Sequence, residues 1–231
     1  MKQNKHSKPQ SDLVIKPQEY KTVLFDQDGT LIDSIELIHK SYRQVFDYLE
    51  LPWKEGEVMK HLGRSLVEIS ELYAKDSVQA AQFRELYSYF YRQDHDEYTK
   101  AFPEATAFLQ NLQAKGFVLG VVTGKRHDPA RESLEYTGLW PYMKNLVGAD
   151  EVEQSKPAPY SLLKALDQLD SKASESLYIG DGAFDMTAAK SAGMLAIAVT
   201  WGIGSEEELR EAGADIIVKS WKELNNLFEL N

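Results

Sequence analysis

The stretch Val23–Ser34, VLFDQDGTLIDS, decides how the rest of the chain is read. An apolar run ends on two carboxylates, Asp26 and Asp28, separated only by Gln27 and followed by Gly29 and Thr30. Continuous apolar residues mark a strand buried on both faces, as in a parallel sheet. Neighbouring carboxylates repel, so a strand end is a costly place to leave two of them without partners. In parallel α/β sheets, however, the ligand crevice lies beyond the carboxyl ends of the strands. The pair reads as part of a site.

Similar short runs recur at Phe117–Val122, Leu146–Val147, Leu177–Ile179, Leu195–Thr200 and Ile216–Val218. Helical segments lie between them. PEATAFLQNLQAKG opens on Pro103 and stops at Gly116, and PAPYSLLKALDQL and FDMTAAKSAG supply two more. This alternation predicts an α/β fold, a Rossmann-like parallel sheet core with helices on both faces. The interval after Asp33 breaks the rhythm. Ile35, Ile38, Tyr42, Val45 and Leu49 recur at helical spacing, and QAAQFRELYSYFYRQDHDEY is a long helix-compatible run. We therefore expect an inserted all-helical cap domain over residues 33–100, with the core formed by 21–32 and 101–231. Residues 1–20, polar and interrupted by Pro9 and Pro17, read as a flexible tail.

The chain has 231 residues, enough for a substantial core, and a formal net charge of -10, which argues against non-specific nucleic-acid binding. It has no cysteine, so thiolate metal sites are excluded. No stretch reads as a signal peptide or a membrane span, and a cytoplasmic protein, monomer or homodimer, is expected. The aromatic cluster Phe83, Tyr87, Tyr89, Phe90, Tyr91 and Tyr98 sits among acids and reads as packing inside the helical bundle rather than a base-stacking platform.

Polar residues with chemistry to offer fall at the other strand ends. One strand ends in Thr123-Gly124-Lys125 and another in Gly180-Asp181-Gly182-Ala183-Phe184-Asp185. Lys156, in SKPAP, follows the Leu146–Val147 strand and opens a helix. Each alone has a plain explanation: a turn, a solvated lysine, or two acids capping a helix. An EF-hand is excluded, because its glycine belongs at the sixth position and its last acid at the twelfth. Together the four segments deliver carboxylates, a hydroxyl, glycine turns and a lysine to one rim.

In this order, DQDGT, VVTGK, SKP and GDGAFD resemble the four motifs of the haloacid-dehalogenase-like hydrolase superfamily. The resemblance covers nearly the whole chain from about residue 21, and the helical insertion sits where one branch of the superfamily carries its cap. DGTLIDS, DMTAAKSAGM and VTWGIGSEEEL are most similar to the phosphoglycolate-phosphatase-like branch. The resemblance implies a Mg2+-dependent phosphatase acting on a small phosphorylated metabolite. Asp26 would be the nucleophile that forms an aspartyl-phosphate, and Asp28 the general acid and base. Mg2+ would be held by the Asp26 carboxylate, the Asp28 backbone carbonyl and Asp181, with Asp185 close behind. Thr123 and Gly124 would hold phosphate oxygens, and Lys156 would balance their charge. Inorganic pyrophosphatase and sugar-phosphate phosphomutase are the alternatives in the superfamily. A catalytically inactive phospholigand-binding scaffold is the alternative outside it. Dehalogenation is disfavoured, since that branch lacks the acid at Asp28.

In the insertion, Arg64 within KHLGRS is our candidate for reading the leaving group, because arginine suits carboxylate or phosphate. Asp33 and Glu36 have capping-box spacing, which makes Asp33 a helix cap rather than a catalyst. The histidines show no metal-ligand spacing. Gln27 departs from the family's pattern, where an apolar residue usually stands. Two orientations are open for it, one toward the cap mouth and one toward a neighbour in the core.

Overall fold

A computed structural model describes residues 14–230. Strands β1 (Thr22–Phe25), β4 (Val118–Val122), β5 (Asn145–Val147), β6 (Ser176–Gly180), β7 (Leu195–Val199) and β8 (Ile216–Val218) form one sheet in the order β5-β4-β1-β6-β7-β8. Every pairing is parallel. β1 lies between β4 and β6, the strand on either side of which the chain reverses its direction of sheet growth. That topology puts a crevice at the carboxyl ends of these three neighbours. In register, Phe25 faces both Val121 and Ile179, so the residues just past each carry on into the crevice.

The continuous apolar runs are explained by burial on both faces. Val23 and Phe25 turn to one side, against Phe108, Leu112, Leu134, Trp221 and Phe228. These come from α4 (Ala105–Ala114), α5 (His127–Tyr136) and α9 (Trp221–Leu227) with the residue after it. Leu24 turns to the other side, with Leu162, Leu166, Met186, Ala189 and Leu209. Those belong to α6 (Tyr160–Gln168), α7 (Ala183–Ala192) and α8 (Glu206–Glu211).

Between β1 and β4 the chain forms α1 (Ile35–Tyr48), α2 (Leu66–Tyr73) and α3 (Ser77–Tyr98), with a short 3-10 turn at Val58–His61. Leu37, Val45, Phe46, Ile69 and Phe83 give this insertion its own apolar core. A two-stranded antiparallel ribbon closes its base, β2 (Ile32–Asp33) against β3 (Lys100–Ala101), with Ile32 opposite Ala101. Sequence patterning misses this ribbon because two-residue strands carry no periodicity.

Two sequence expectations need correction. Asp33 is not the cap of α1: it is drawn into β2, and Ser34 occupies the N-cap position without capping the helix through its side chain. The expected tail is also shorter than 1–20. Residues 1–13 lie outside the described residues, but Ile15 is buried in the sheet's core and its N–H donates to the Leu227 carbonyl at 2.6 Å. A run of three apolar residues, Leu13, Val14 and Ile15, in a polar segment was too little for composition to register.

Candidate active site

Asp26 follows β1 directly, its N–H fixed on the Ile179 carbonyl at 2.8 Å. Its carboxylate points at Lys156, whose Nζ donates to Asp26 Oδ1 at 2.9 Å, to Asp185 Oδ1 at 2.5 Å and to the Tyr178 phenol oxygen at 3.0 Å. All three ammonium protons are thus used. Tyr178 in turn donates to the Val122 carbonyl at 2.8 Å. Lys156 is 1 % exposed, so only this shell holds its charge.

Asp181 leaves the end of β6. Thr30 Oγ1 donates to its Oδ1 at 2.8 Å and the Ile203 N–H to its Oδ2 at 2.9 Å. Gly29 is required beside it: φ is +78°, and a Cβ there would lie 2.3 Å from Asp181 Oδ2. Asp185, in the first turn of α7, accepts the Gly182 N–H at 2.9 Å while also taking Lys156. Asp185 therefore combines a capping contact in α7 with a place in the carboxylate cluster.

Asp26, Asp181 and Asp185 each present a carboxylate oxygen within 4.8 Å of the others, and all three are buried. Burial raises the Asp26 carboxyl well above the usual range, Lys156 opposes that, and Asp185, Asp181 and Asp28 add to it. Burial and then Asp185 push Asp181 up to about 7, against the Ile203 and Thr30 hydrogen bonds. For Lys156, burial works against the ammonium but Asp185 and Asp26 outweigh it, and its pKa is raised. One ammonium does not neutralise three carboxylates. An all-oxygen, anionic cluster of this size fits a hard divalent cation.

Asp28 stands apart from that cluster. Its Oδ1 accepts the Ser34 hydroxyl at 2.5 Å and Lys125 Nζ at 2.7 Å. The Ser34 hydroxyl that leaves α1 uncapped is spent here. Lys125 also donates to the Tyr91 phenol at 2.6 Å, joining β4's end to the long cap helix α3. Burial opposes the Lys125 charge, but Asp28 and Tyr91 raise its pKa. Sequence reading gave Lys125 no role, although it stands two residues beyond Thr123 in the same motif.

Thr123 is buried after β4 and its Oγ1 accepts the Lys125 N–H at 3.2 Å. A Cβ on Gly124 would lie 2.7 Å from the Gly63 carbonyl and 2.8 Å from that of Arg64, so glycine lets the cap loop approach. Arg64 lies over the Phe184 ring at 4.7 Å and lines the chamber between cap and core. Close by, the Ser65 N–H donates to Ser155 Oγ at 3.2 Å, and Ser155 donates a short hydrogen bond to Glu68. Ser155 immediately precedes Lys156. At the other end of the cap, His95 Nε2 meets Ser133 Oγ at 3.1 Å and Tyr136 donates to the Asp96 carbonyl at 3.0 Å. The cap thus rests on the core at three separate places.

The chamber has a volume of about 630 Å3. Its floor includes Asp26, Asp28, Thr123 and Lys125, and its far wall includes Tyr42, Tyr87 and Tyr91. Gln27 faces neither. It is fully buried, does not line the chamber, and its side-chain amide finds no hydrogen-bond partner among the described residues.

The sequence model of the family described as haloacid dehalogenase-like hydrolase matches residues 23–199. A relative from Bacillus pumilus, named pyrophosphatase PpaX, is 33% identical over 88% of this chain and 94% of its own. A relative from Dickeya dadantii, named probable phosphatase IndB, is 32% identical over 87% of this chain and 90% of its own. Among solved structures, a predicted phosphatase from Clostridium acetobutylicum is 31% identical with a TM-score of 0.79, covering 89% of this chain and 96% of its own.

Proposed function

The chain belongs to the haloacid dehalogenase-like hydrolase family, and from that premise we propose that it is a Mg2+-dependent phosphohydrolase whose first substrate is inorganic pyrophosphate. The observation that carries the chemistry is the buried cluster of Asp26, Asp181 and Asp185 beside Lys156, of which Asp26 reaches the floor of a chamber. Pyrophosphate is preferred to the phosphoglycolate suggested by the sequence motifs because of the name borne by the relative that covers nearly the whole chain. Structures described as predicted or putative phosphoglycolate phosphatases are 21–22% identical, a likeness that concerns the fold.

Asp26 Oδ attacks the terminal phosphorus, and the bond from phosphorus to the leaving oxygen breaks. Asp28 gives that oxygen a proton, then takes one from the water that attacks the aspartyl-phosphate. The second attack breaks the bond between phosphorus and Asp26 and frees orthophosphate. Thr123 Oγ1 and the Gly124 N–H hold the phosphoryl oxygens, while Lys156 positions Asp26 and offsets charge. Mg2+, bound by Asp26, Asp181, Asp185 and the Asp28 carbonyl, would supply Lewis-acid relief of the charge gathered on the phosphoryl group. Two differently partnered carboxylates on one strand end divide the labour: Asp26 belongs to the cation cluster, and Asp28 to Lys125 and Ser34.

The test is orthophosphate release from pyrophosphate and from phosphoglycolate, each with Mg2+ and with chelator. Release from pyrophosphate that stops with chelator supports the reading. Release from phosphoglycolate alone overturns the choice of substrate, and release from neither overturns the reading.

A further inference from the structure

A second cavity, of about 720 Å3, opens on the outside of the cap where α2 and α3 approach the core. Leu66, Val67, Ala81 and Tyr89 give it apolar edges, and its charged residues are Arg84, Glu85, Arg92, Arg126 and Asp150. None of Asp26, Asp28, Asp181 and Asp185 lines it. Three guanidiniums against two carboxylates leave an excess of positive charge, in a chain whose formal net charge is -10.

Two of these arginines differ from the rest of the chain's by their partners. Of seven arginines, five reach a carboxylate within 4.0 Å; among the described residues Arg84 and Arg92 do not. Both are on α3, two turns apart with Ser88 between them, so the three share one face of the helix. Arg84 is oriented by a neutral contact alone. Its Nη1 donates to Ser70 Oγ at 2.9 Å, and Ser70 donates to the Val67 carbonyl at 2.7 Å. Arg92 is exposed, and its side chain makes no hydrogen bond or ion pair among the described residues. It also borders the chamber beside Asp96, Asp128 and Glu132, none of which forms an ion pair with it. From the core side, Arg126 reaches Asp150 at 3.4 Å, while the His127 N–H takes the other oxygen of that carboxylate at 2.8 Å.

Guanidinium forks left without carboxylates match the oxygens of phosphoryl groups. The two α3 positions are about 12 Å apart along the helix, a span that suits several linked phosphoryl groups better than one. We propose that this groove is a binding site for a small oligophosphate, separate from the active site. Arg84 and Arg92 take the anion from the cap and Arg126 takes it from the core, giving up its long contact with Asp150. The ligand becomes a fourth tie between cap and core, added to the three that the protein makes itself. No bond is made or broken there.

Calorimetric titration in the presence of chelator isolates the groove. Without Mg2+ the active site sets four carboxylates against two ammoniums and repels an oligophosphate. Tripolyphosphate should bind one to one, and more weakly as salt is raised. Arg84→Gln and Arg92→Gln should each weaken it by about tenfold, the loss of a charge-assisted hydrogen bond. Arg92 has no partner to lose, so its variant tests the site even where Arg84→Gln fails to fold. Asp26→Asn should leave the affinity within about twofold of native. With Mg2+, Arg84→Gln should hydrolyse pyrophosphate at the native kcat/KM, since Arg84 does not line the chamber. The proposal is overturned by absence of binding, by binding that neither arginine variant weakens, by a larger response to Asp26→Asn, or by a kcat/KM that falls with the affinity of Arg84→Gln. ATP titrated beside tripolyphosphate separates the two sources of such a chain. Tighter binding of ATP supports a nucleotide whose base meets the exposed Tyr89 ring, and tighter binding of tripolyphosphate supports an inorganic chain. Binding in chelator does not require hydrolysis, so this inference and the phosphohydrolase reading can each fail alone.

Discussion

The floor and the wall of the chamber are made from different materials. The floor and the layer behind it hold four carboxylates, Asp26 and Asp28 on the chamber and Asp181 and Asp185 beneath, against two ammoniums, Lys125 and Lys156, nearly all withdrawn from water. Every one of those ammoniums is spent on named acceptors. The wall mixes aliphatic and aromatic side chains, Ile38, Leu62, Tyr42, Tyr87 and Tyr91, with charged ones such as Arg64, Arg92 and Glu132. A floor whose charges depend on one another tolerates little change, because removing one partner leaves another buried and unpaired. A wall of such mixed side chains tolerates substitution and changes preference instead. Under the proposed function, the floor would govern the reaction and the wall the choice of compound.

Variants and conditions break this contrast in graded ways. The largest effect belongs to the floor: Asp26→Asn should lower kcat by at least about 10^3-fold on every substrate, measured as phosphate release. A loss confined to one substrate would mean that the floor also selects.

Next comes Lys125→Met, which frees Asp28 and Tyr91 together. It should lower kcat by about 10- to 100-fold for pyrophosphate. An effect on KM only would place Lys125 with the wall.

The charge excess of the floor also has a pH signature. Asp26 and Asp181 are raised, Asp181 to about 7, so the fold keeps protons that the unfolded chain has lost. Between the ordinary carboxylate pKa and about 7 the native state binds more protons, and metal-free stability falls as pH rises, by about 1.4 kcal/mol per pH unit for each such group. The melting temperature of chelated protein should drop from about pH 5 to about pH 8, with added Mg2+ restoring most at the upper end. A flat profile would show that the cluster is not short of positive charge.

Smaller effects come from the seams. Ser155→Ala removes the link between the Ser65–Glu68 corner of the cap and the residue before Lys156. With a net hydrogen bond worth about 1 kcal/mol, kcat/KM should fall by about fivefold. Gln27→Leu, which replaces a buried amide with no partner among the described residues, should raise the melting temperature by about 2–4 °C and leave hydrolysis near normal.

The floor was more legible in the sequence than the wall, and the reason is physical. β1, β4 and β6 are buried on both faces, so their apolar runs stand out, and the polar residues at their ends stand out against them. Asp26, Thr123 and Asp181 follow from that alone. Lys125 and Ser34 were visible as letters, but their roles depend on contacts with Asp28 that only the fold creates. Tyr87 and Tyr91 were read as interior packing, which holds for Tyr91, yet both also line the chamber. A helix pattern tells which face is apolar, not which part of that face meets another domain. Arg64 does lie in the chamber, resting on Phe184, a contact between segments that sequence spacing does not relate.

The central claim is that Asp26, and no other group, carries the phosphoryl group. Its most direct test is mass analysis of peptides after rapid acid quench of the Mg2+-loaded Asp28→Asn enzyme turning over pyrophosphate, in which release is slowed. The account predicts a phosphoryl adduct on Asp26, missing when chelator replaces Mg2+, and no hydrolysis by Asp26→Asn. An adduct on another residue, or undiminished hydrolysis by Asp26→Asn, would contradict it.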